Sequence, residues 1–172
     1  RLKELGYSVE WAEFNTGSSI MEALNSGAID FANASDAPSM MALSKGMNFK
    51  YIAGEESSPQ TEGILVKNDG SIQSIEQLKG KKIAYNKASI SEYLLVSALE
   101  TVNLTLDDVE SVILSPADAT IAFQNGEVDA WVTWDPYMTV SESKGNQILA
   151  TGEGIVEHRG FYYASDKFIE SD

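Results

Sequence analysis

The sequence predicts an α/β protein built as two similar lobes. Three observations predict it: an internal repeat, a regular alternation of strand-like and helix-like segments, and a composition suited to a globular core. Sliding the chain by 99 positions lays Leu24-Asn25-Ser26-Gly27-Ala28-Ile29-Asp30 over Phe123-Gln124-Asn125-Gly126-Glu127-Val128-Asp129, and Asp36 over Asp135. Each copy reads as a helix with an apolar face, a glycine able to take the left-handed stop, a short strand, then an aspartate near a proline. One copy is therefore expected in each lobe.

Of the 172 residues, 43% are apolar and 22% charged. At this length a chain can bury roughly two-thirds of its unfolded surface and needs no disulfide or metal to fold. Cysteine is absent, which excludes thiol nucleophiles, disulfide frameworks and Cys-type zinc sites. The formal charge of −14 is spread evenly along the chain, so neither nucleic acid nor an anionic membrane is an expected partner. His158 is the only histidine and is expected at the surface, and the five methionines are expected in the core. No metal site, cofactor or catalytic constellation is legible: there is no G-x-S-x-G, Walker loop, G-x-G-x-x-G or H-E-x-x-H.

Taken in order, Tyr7–Phe14 reads as a strand and Ser18–Ser26 as a helix stopped by Gly27. A strand at Ile29–Ala34, a helix at Pro38–Lys45 and a strand at Phe49–Ala53 follow. Gly63–Lys67 reads as another strand, ended by the turn Asn68-Asp69-Gly70. The second half repeats the theme with a helix at Ile75–Leu78, a strand at Lys81–Tyr85, a helix at Ile90–Val102 and a strand at Val109–Leu114. A helix at Ala117–Gln124 stopped by Gly126, a strand at Ala130–Thr133, a helix at Pro136–Ser143 and a strand at Gln147–Ala150 complete it. Gly160–Ala164 reads as the last strand. Such alternation suggests parallel α/β layers. Residues 1–68 and 160–172 are assigned to lobe 1 and residues 69–159 to lobe 2, with hinges at Val66–Gly70 and Arg159–Tyr163. Strand Lys81–Tyr85 and most of its helix have repeat partners only before Arg1, so a leading strand and helix are expected there.

Ligands of open α/β sheets bind beyond the carboxyl ends of strands, where helix N-termini offer free amides and the positive end of the dipole. The candidates are Gly17 and Ser18, Ser35 and Asp36, Ser89, Ile90 and Ser91, Asp118, and Trp134 with Asp135. Helix capping competes at each: Ser19-x-x-Glu22 and Ser89-x-x-Glu92 both fit a capping box, and Asp135-Pro136 fits a cap with a first-turn proline. The two roles are compatible, since a capped helix still has unpaired amides. In Trp131-Val132-Thr133-Trp134 the faces alternate, so Trp131 and Trp134 point to opposite sides, and one over the cleft would give an apolar wall. Asp30 and Asp129, at strand starts, are assigned structural roles.

Four segments carry a family likeness: Gly17–Gly27 (GSSIMEALNSG), Ile29–Pro38 (IDFANASDAP), Leu78–Leu95 (LKGKKIAYNKASISEYLL) and Pro116–Tyr137 (PADATIAFQNGEVDAWVTWDPY). They resemble the aliphatic-sulfonate, taurine and nitrate-binding receptors of bacterial ABC importers. The resemblance implies a two-lobed periplasmic-binding-protein type II fold, truncated here at both ends. It implies a non-enzymatic receptor in the periplasm or outside the cell, free or lipid-anchored, monomeric at full length. It further implies that the receptor closes on a small organic anion such as an alkanesulfonate and delivers it to an ABC permease. Two departures are visible. Family members often carry Gly-Ser-Ser where this chain has Ala88-Ser89-Ile90, and Thr-Gly-Asp where it has Ala34-Ser35-Asp36. The changed hydroxyl pattern leaves nitrate, taurine or a thiamine precursor as rival ligands, and the same fold also carries enzymes of pyrimidine-precursor and menaquinone-pathway type.

Overall fold

The computed structural model describes Glu4, Gly6 and residues 8–171. Its first elements are α1 (Gly17–Ser26), β1 (Phe31–Ser35), α2 (Asp36–Ser44) and β2 (Lys50–Gly54). The chain then crosses into β3 (Glu62–Val66), β4 (Lys82–Tyr85), α3 (Ile90–Thr101), β5 (Glu110–Ile113) and α4 (Pro116–Asn125). It continues through β6 (Ala130–Trp134), α5 (Tyr137–Ser143) and β7 (Gln147–Thr151), and returns as β8 (Gly160–Ala164) and α6 (Asp166–Ser171). Among the described residues no helix is long and apolar enough to cross a membrane.

The strands form two sheets, ordered β1-β8-β2 and β5-β4-β6-β3-β7. The larger holds the main core. One face carries Ile64, Val66, Ile83, Tyr85 and Val132 against Leu94, Leu95 and Leu99 of α3. The other carries Leu65, Ala84 and Trp131 against Ala119 and Phe123 of α4 and Met138 of α5. Every residue of β3 is buried, as an inner strand covered on both faces requires. The smaller sheet packs Ala32, Ala34 and Tyr163 against Met21 and Leu24 of α1, with Phe49 edge-on to Tyr163 at 5.3 Å.

The repeat is visible in the backbone. Gly27 closes α1 at φ 75°, ψ 17°, and Gly126 closes α4 at φ 75°, ψ 22°. Each amide bonds back to two carbonyls of its own helix, Ala23 and Leu24 in one case and Ala122 and Phe123 in the other.

Several expectations are corrected. Residues 8–14 form no strand, and Tyr7 lies outside the described residues. Trp11 is 92% exposed, and the segment borders neither sheet, so it has no ladder to join. Neither sheet is parallel: the smaller is antiparallel throughout, with β8 running against β1 and β2, and the larger is mixed, with β3 antiparallel to β6 and β7 and β4 parallel to β5 and β6. The reason is that β3 and β8 are the strands by which the chain enters one sheet and returns to the other. β3, expected in lobe 1, is an inner strand of the five-stranded sheet, so lobe 2 begins near Glu62. The segments that join the lobes are accordingly residues 55–61 and 152–159, not Val66–Gly70 and Arg159–Tyr163. The turn at residues 68–70 had suggested the boundary, but it only links β3 to the rest of its own lobe. Met40 and Met41 of α2 are exposed, whereas Met21 and Met138 are in the core. Helix α6 and the short 3₁₀ turns at Pro59–Thr61 and Leu106–Asp108 had no counterpart in the sequence reading.

A β-carbon at Gly27 or Gly126 would touch nothing within 4 Å, so only the left-handed backbone restricts these positions. Gly27→Ala and Gly126→Ala should each destabilise the chain by about 1–2 kcal/mol and by similar amounts. Urea denaturation of the two variants checks this, and a cost near zero at either would contradict the helix stop.

Candidate functional site

The topology places the helix starts on two edges. In the larger sheet β4 runs parallel to β5 and β6 and β3 runs against β6, so Tyr85, Ile113, Trp134 and Glu62 end on one edge. Helices α3, α4 and α5 begin there. In the smaller sheet Ser35 pairs with Gly160 and Gly54 with Phe161, and α2 begins there. The start of α1 is held close by: a β-carbon on Gly17 would lie 2.5 Å from Pro38 Cγ in α2. Helix α2 of lobe 1 also packs against α3 of lobe 2. Gly17, Ser35 and Asp36 on one side and Ser89, Ile90 and Ser91 on the other thus sit at elements joined by one helix–helix contact.

Capping uses much of the polar chemistry. At α1 the cap is Thr16, whose Oγ1 accepts from the Ser19 amide at 3.3 Å, so Ser19 lies inside the helix and its expected capping box does not form. Ser18 and Gly17 occupy the first turn, with the Ser18 hydroxyl 3.2 Å from that of Thr16. Ser35 precedes α2 with no side-chain cap bond, while Asp36 Oδ1 accepts from the Ala37 amide at 2.8 Å. The Asp36 amide donates to Arg159 O at 3.0 Å, tying α2 to the returning segment. Ser89 does cap α3, accepting from the Ser91 amide at 3.2 Å, but Glu92 reaches back to the Ala88 amide instead of to Ser89. Ser91 is fully buried; its Oγ accepts from the Asn86 amide at 3.0 Å and lies 2.8 Å from Ser89 Oγ. Ile90 is buried beside them.

The remaining candidates spread out along the lobe 2 edge. Asp118 accepts from the Ser115 hydroxyl at 2.6 Å and lines an open groove along β5 with Lys82, Glu110 and Ile121. Asp135 is exposed, and its Oδ1 accepts from both the amide (3.1 Å) and the hydroxyl (2.7 Å) of Thr139. Trp134 is half-buried and meets Tyr137 edge-on at 6.4 Å, while Trp131 is in the core and meets the same ring at 6.2 Å. Asp129 accepts from the Lys82 amide at 2.8 Å, at the far end of the sheet.

Sequence reasoning missed the cluster between the lobes. Glu62 is fully buried on entering β3, opposite Trp134 in the register. Its Oε2 lies 3.4 Å from Nδ1 of His158, and neither carboxylate oxygen has a hydrogen-bond partner. His158 was expected at the surface. Its side chain is only 15% exposed because residues 58 and 158 are bonded backbone to backbone, which turns the ring inward toward Glu62 and Thr61. Burial, helped by the Asp36 charge, raises the Glu62 pKa to about 8. Burial also lowers that of His158, against the opposing pull of Asp36 and Glu55. The available signal was a glutamate heading an all-apolar run, Glu62-Gly63-Ile64-Leu65-Val66, with the chain's single histidine on the return path.

Fold and site together define a two-lobed α/β binding-protein architecture in which α2 of one lobe meets α3 of the other. The NMT1/THI5-like family model matches residues 2–172, and the chain belongs to that family. The periplasmic aliphatic sulphonate binding protein SsuA of Escherichia coli superposes with a TM-score of 0.86 at 35% identity, over 99% of this chain and 56% of that one. The alkanesulfonate-binding SsuA of Xanthomonas axonopodis pv. citri, bound to MOPS, gives 0.92 at 34% identity, over 99% and 59%. A taurine-binding periplasmic protein of E. coli K12 is 31% identical over 153 residues, which are 89% of this chain and 47% of that protein. The chain spans about half the length of the curated relatives it matches.

The buried pair dictates a pH dependence. Glu62 holds its proton more tightly folded (about 8) than at its ordinary 4.5, so its contribution is full below 4.5 and is lost as pH rises through 8. His158 has the opposite sign: its contribution is present above its ordinary 6.5 and is lost as pH falls through its lowered pKa. Above pH 6.5 only Glu62 acts. Stability should then fall by roughly 1 kcal/mol per pH unit up to about 8, and Glu62→Gln should abolish the slope. Denaturant titrations of both proteins at pH 6.5 to 8.5 test it.

Proposed function

We propose that this chain is the ligand-binding part of an extracytoplasmic receptor serving an ABC importer, and that it holds a small organic anion of the aliphatic sulfonate class between its lobes. The observation that carries this reading is the packing of α2 against α3. It joins a helix of lobe 1 to a helix of lobe 2, each preceded by a serine, Ser35 and Ser89. Amides at helix starts favour an anionic head group without any lysine or arginine, which suits a chain of net charge −14. The overall acidity does not forbid it, because distant surface charge is screened within about a Debye length while amides act at contact. The similarity to sulfonate-binding proteins over nearly the whole chain supports the same class of ligand.

On this reading Gly17, Ser18, Ser35 and Asp36 form the lobe 1 side of the site, and Ser89, Ile90 and Ser91 the lobe 2 side. Trp134 supplies an apolar wall for the organic tail, with Tyr137 behind it. Because Ser89 and Ser91 already bond to Asn86 and to each other, their part is to aim the first amides of α3, and the anion is bound by the backbone. Asp118 and Asp135 sit at the margin of the site, where Asp118 holds the Ser115 hydroxyl that caps α4 and Asp135 accepts from the Thr139 amide in α5. The protein is non-enzymatic and monomeric at full length, and lobe closure is what the membrane permease reads.

A thermal-shift screen with alkanesulfonates, taurine, nitrate and pyrimidine thiamine precursors tests the reading. A ligand at 100 times its dissociation constant should add about 2.7 kcal/mol. A shift confined to sulfonates is expected, and none with any sulfonate would refute the assignment. Titration calorimetry with sulfonates of increasing chain length tests the wall. The wild type should gain up to about 0.8 kcal/mol per methylene, and Trp134→Ala should flatten that gain.

A further inference from the structure

The crossing between the lobes is more than a tether. Two backbone segments run side by side there: the Glu55 amide donates to Gly160 O at 2.8 Å, the Ser58 amide to His158 O at 2.8 Å, and the Gly152 amide to Pro59 O at 2.9 Å. Glu62 and His158 lie between these segments. Gly152 leaves the space that Glu62 fills, since a β-carbon there would meet Glu62 Oε1 at 2.8 Å.

We propose that Glu62 and His158 form a proton-dependent latch, in which the proton held between them keeps the two crossing segments together and its loss loosens one lobe from the other. The charges that face the pair come from lobe 1 and from the first crossing segment. Asp36 stands at the start of α2 in lobe 1, and Glu55 lies on the first crossing segment, where its side chain covers Gly160 and accepts from Asn33. Thr61, with its hydroxyl 3.4 Å from His158 Nδ1, is neutral, as is Trp134 across the strand. Gly152 and Val156, from the turn after β7, bring no charge to the pair. The nearby Arg159 pairs outward with Glu157 at 3.5 Å.

One proton therefore decides the balance. With it in place, the pair is an acid beside a neutral imidazole, or a carboxylate beside an imidazolium. Without it, the Glu62 carboxylate of lobe 2 faces the Asp36 carboxylate of lobe 1, with Glu55 of the first crossing segment acting on the neutral ring between them. Like charges held apart from water repel strongly, and the strain falls on the segments that join the lobes. Burial already makes Glu62 hold its proton to about pH 8, so the release falls in the mildly alkaline range. The latch does not depend on which solute binds.

The test uses two readouts on the 172-residue chain. Because His158 is its only histidine, its imidazole gives one NMR signal to follow from pH 5 to 10. The second readout is hydrogen exchange of the Ser58 and Gly152 amides, corrected for the intrinsic pH dependence of exchange. In the wild type, the His158 signal should inflect near pH 8, and the opening of both amides should rise up to tenfold per pH unit on the approach to that pH and level off above it. Glu62→Gln should remove both effects. Asp36→Asn should move the inflection to lower pH, which keeps the test decisive if Glu62→Gln fails to fold. Opening that does not change with pH in the wild type, the same dependence in Glu62→Gln, or an unmoved inflection in Asp36→Asn would overturn the proposal. Absence of ligand binding alongside an intact inflection would instead count against the solute assignment alone.

Discussion

The pairing of residues 55–61 with 152–160 is the constraint on which the rest of the molecule depends. Both sheets hang from it: β8 leaves it as the middle strand of the smaller sheet, and β3 leaves it as an inner strand of the larger one. The helix starts are fixed by the same segments. The Asp36 amide reaches Arg159 O, and the Asp135 amide reaches Thr61 O at 2.8 Å, so α2 and the approach to α5 take their positions from opposite strands of the crossing. Any displacement of one segment against the other is passed to the starts of α2 and α5.

This arrangement also explains the economy of charge. A site walled with lysine or arginine would carry specificity in long, mobile side chains. Here short side chains hold the backbone: Ser89 and Ser91 pin Asn86, Thr16 pins the first turn of α1, and Asp135 pins Thr139. Preorganised amides lose little freedom when a ligand arrives. Glu62 is the exception, a carboxylate taken into the interior without full pairing, and such a group persists when its surroundings over-determine its place.

Most of the architecture was legible because it rests on local signals. Gly27 and Gly126 stop helices as any left-handed cap does, the 3₁₀ turn at Ile75–Leu78 and strand β8 fall where the pattern put them, and Ser89 caps α3. The failures share a cause in contacts distant along the chain. The lobe to which Gly63–Lys67 belongs depends on pairing with Ala130–Trp134, which no local pattern encodes. His158 is buried because of Ser58, a hundred positions away. Residues 8–14 carry strand-like residues but pair with no strand of either sheet. For the candidate site, the helix starts could be found from capping patterns, but which of them lie together follows only from the α2–α3 contact, and Asp118 is directed instead toward the β5 groove.

The order of strands has a consequence for biosynthesis. The larger lobe is contiguous, from Glu62 to Thr151, so all its pairings are available once that stretch has been made. The smaller sheet is different: β1 and β2 do not pair with each other but with β8, which is synthesised about a hundred residues later. During translation both strands wait with open edges while the inserted lobe collapses beside them. Phe31, Tyr51 and Ile52 are among the apolar side chains they carry. Chaperone demand in this stretch thus falls on residues 31–54, and for these strands it lasts until residues 160–164 emerge to pair with them.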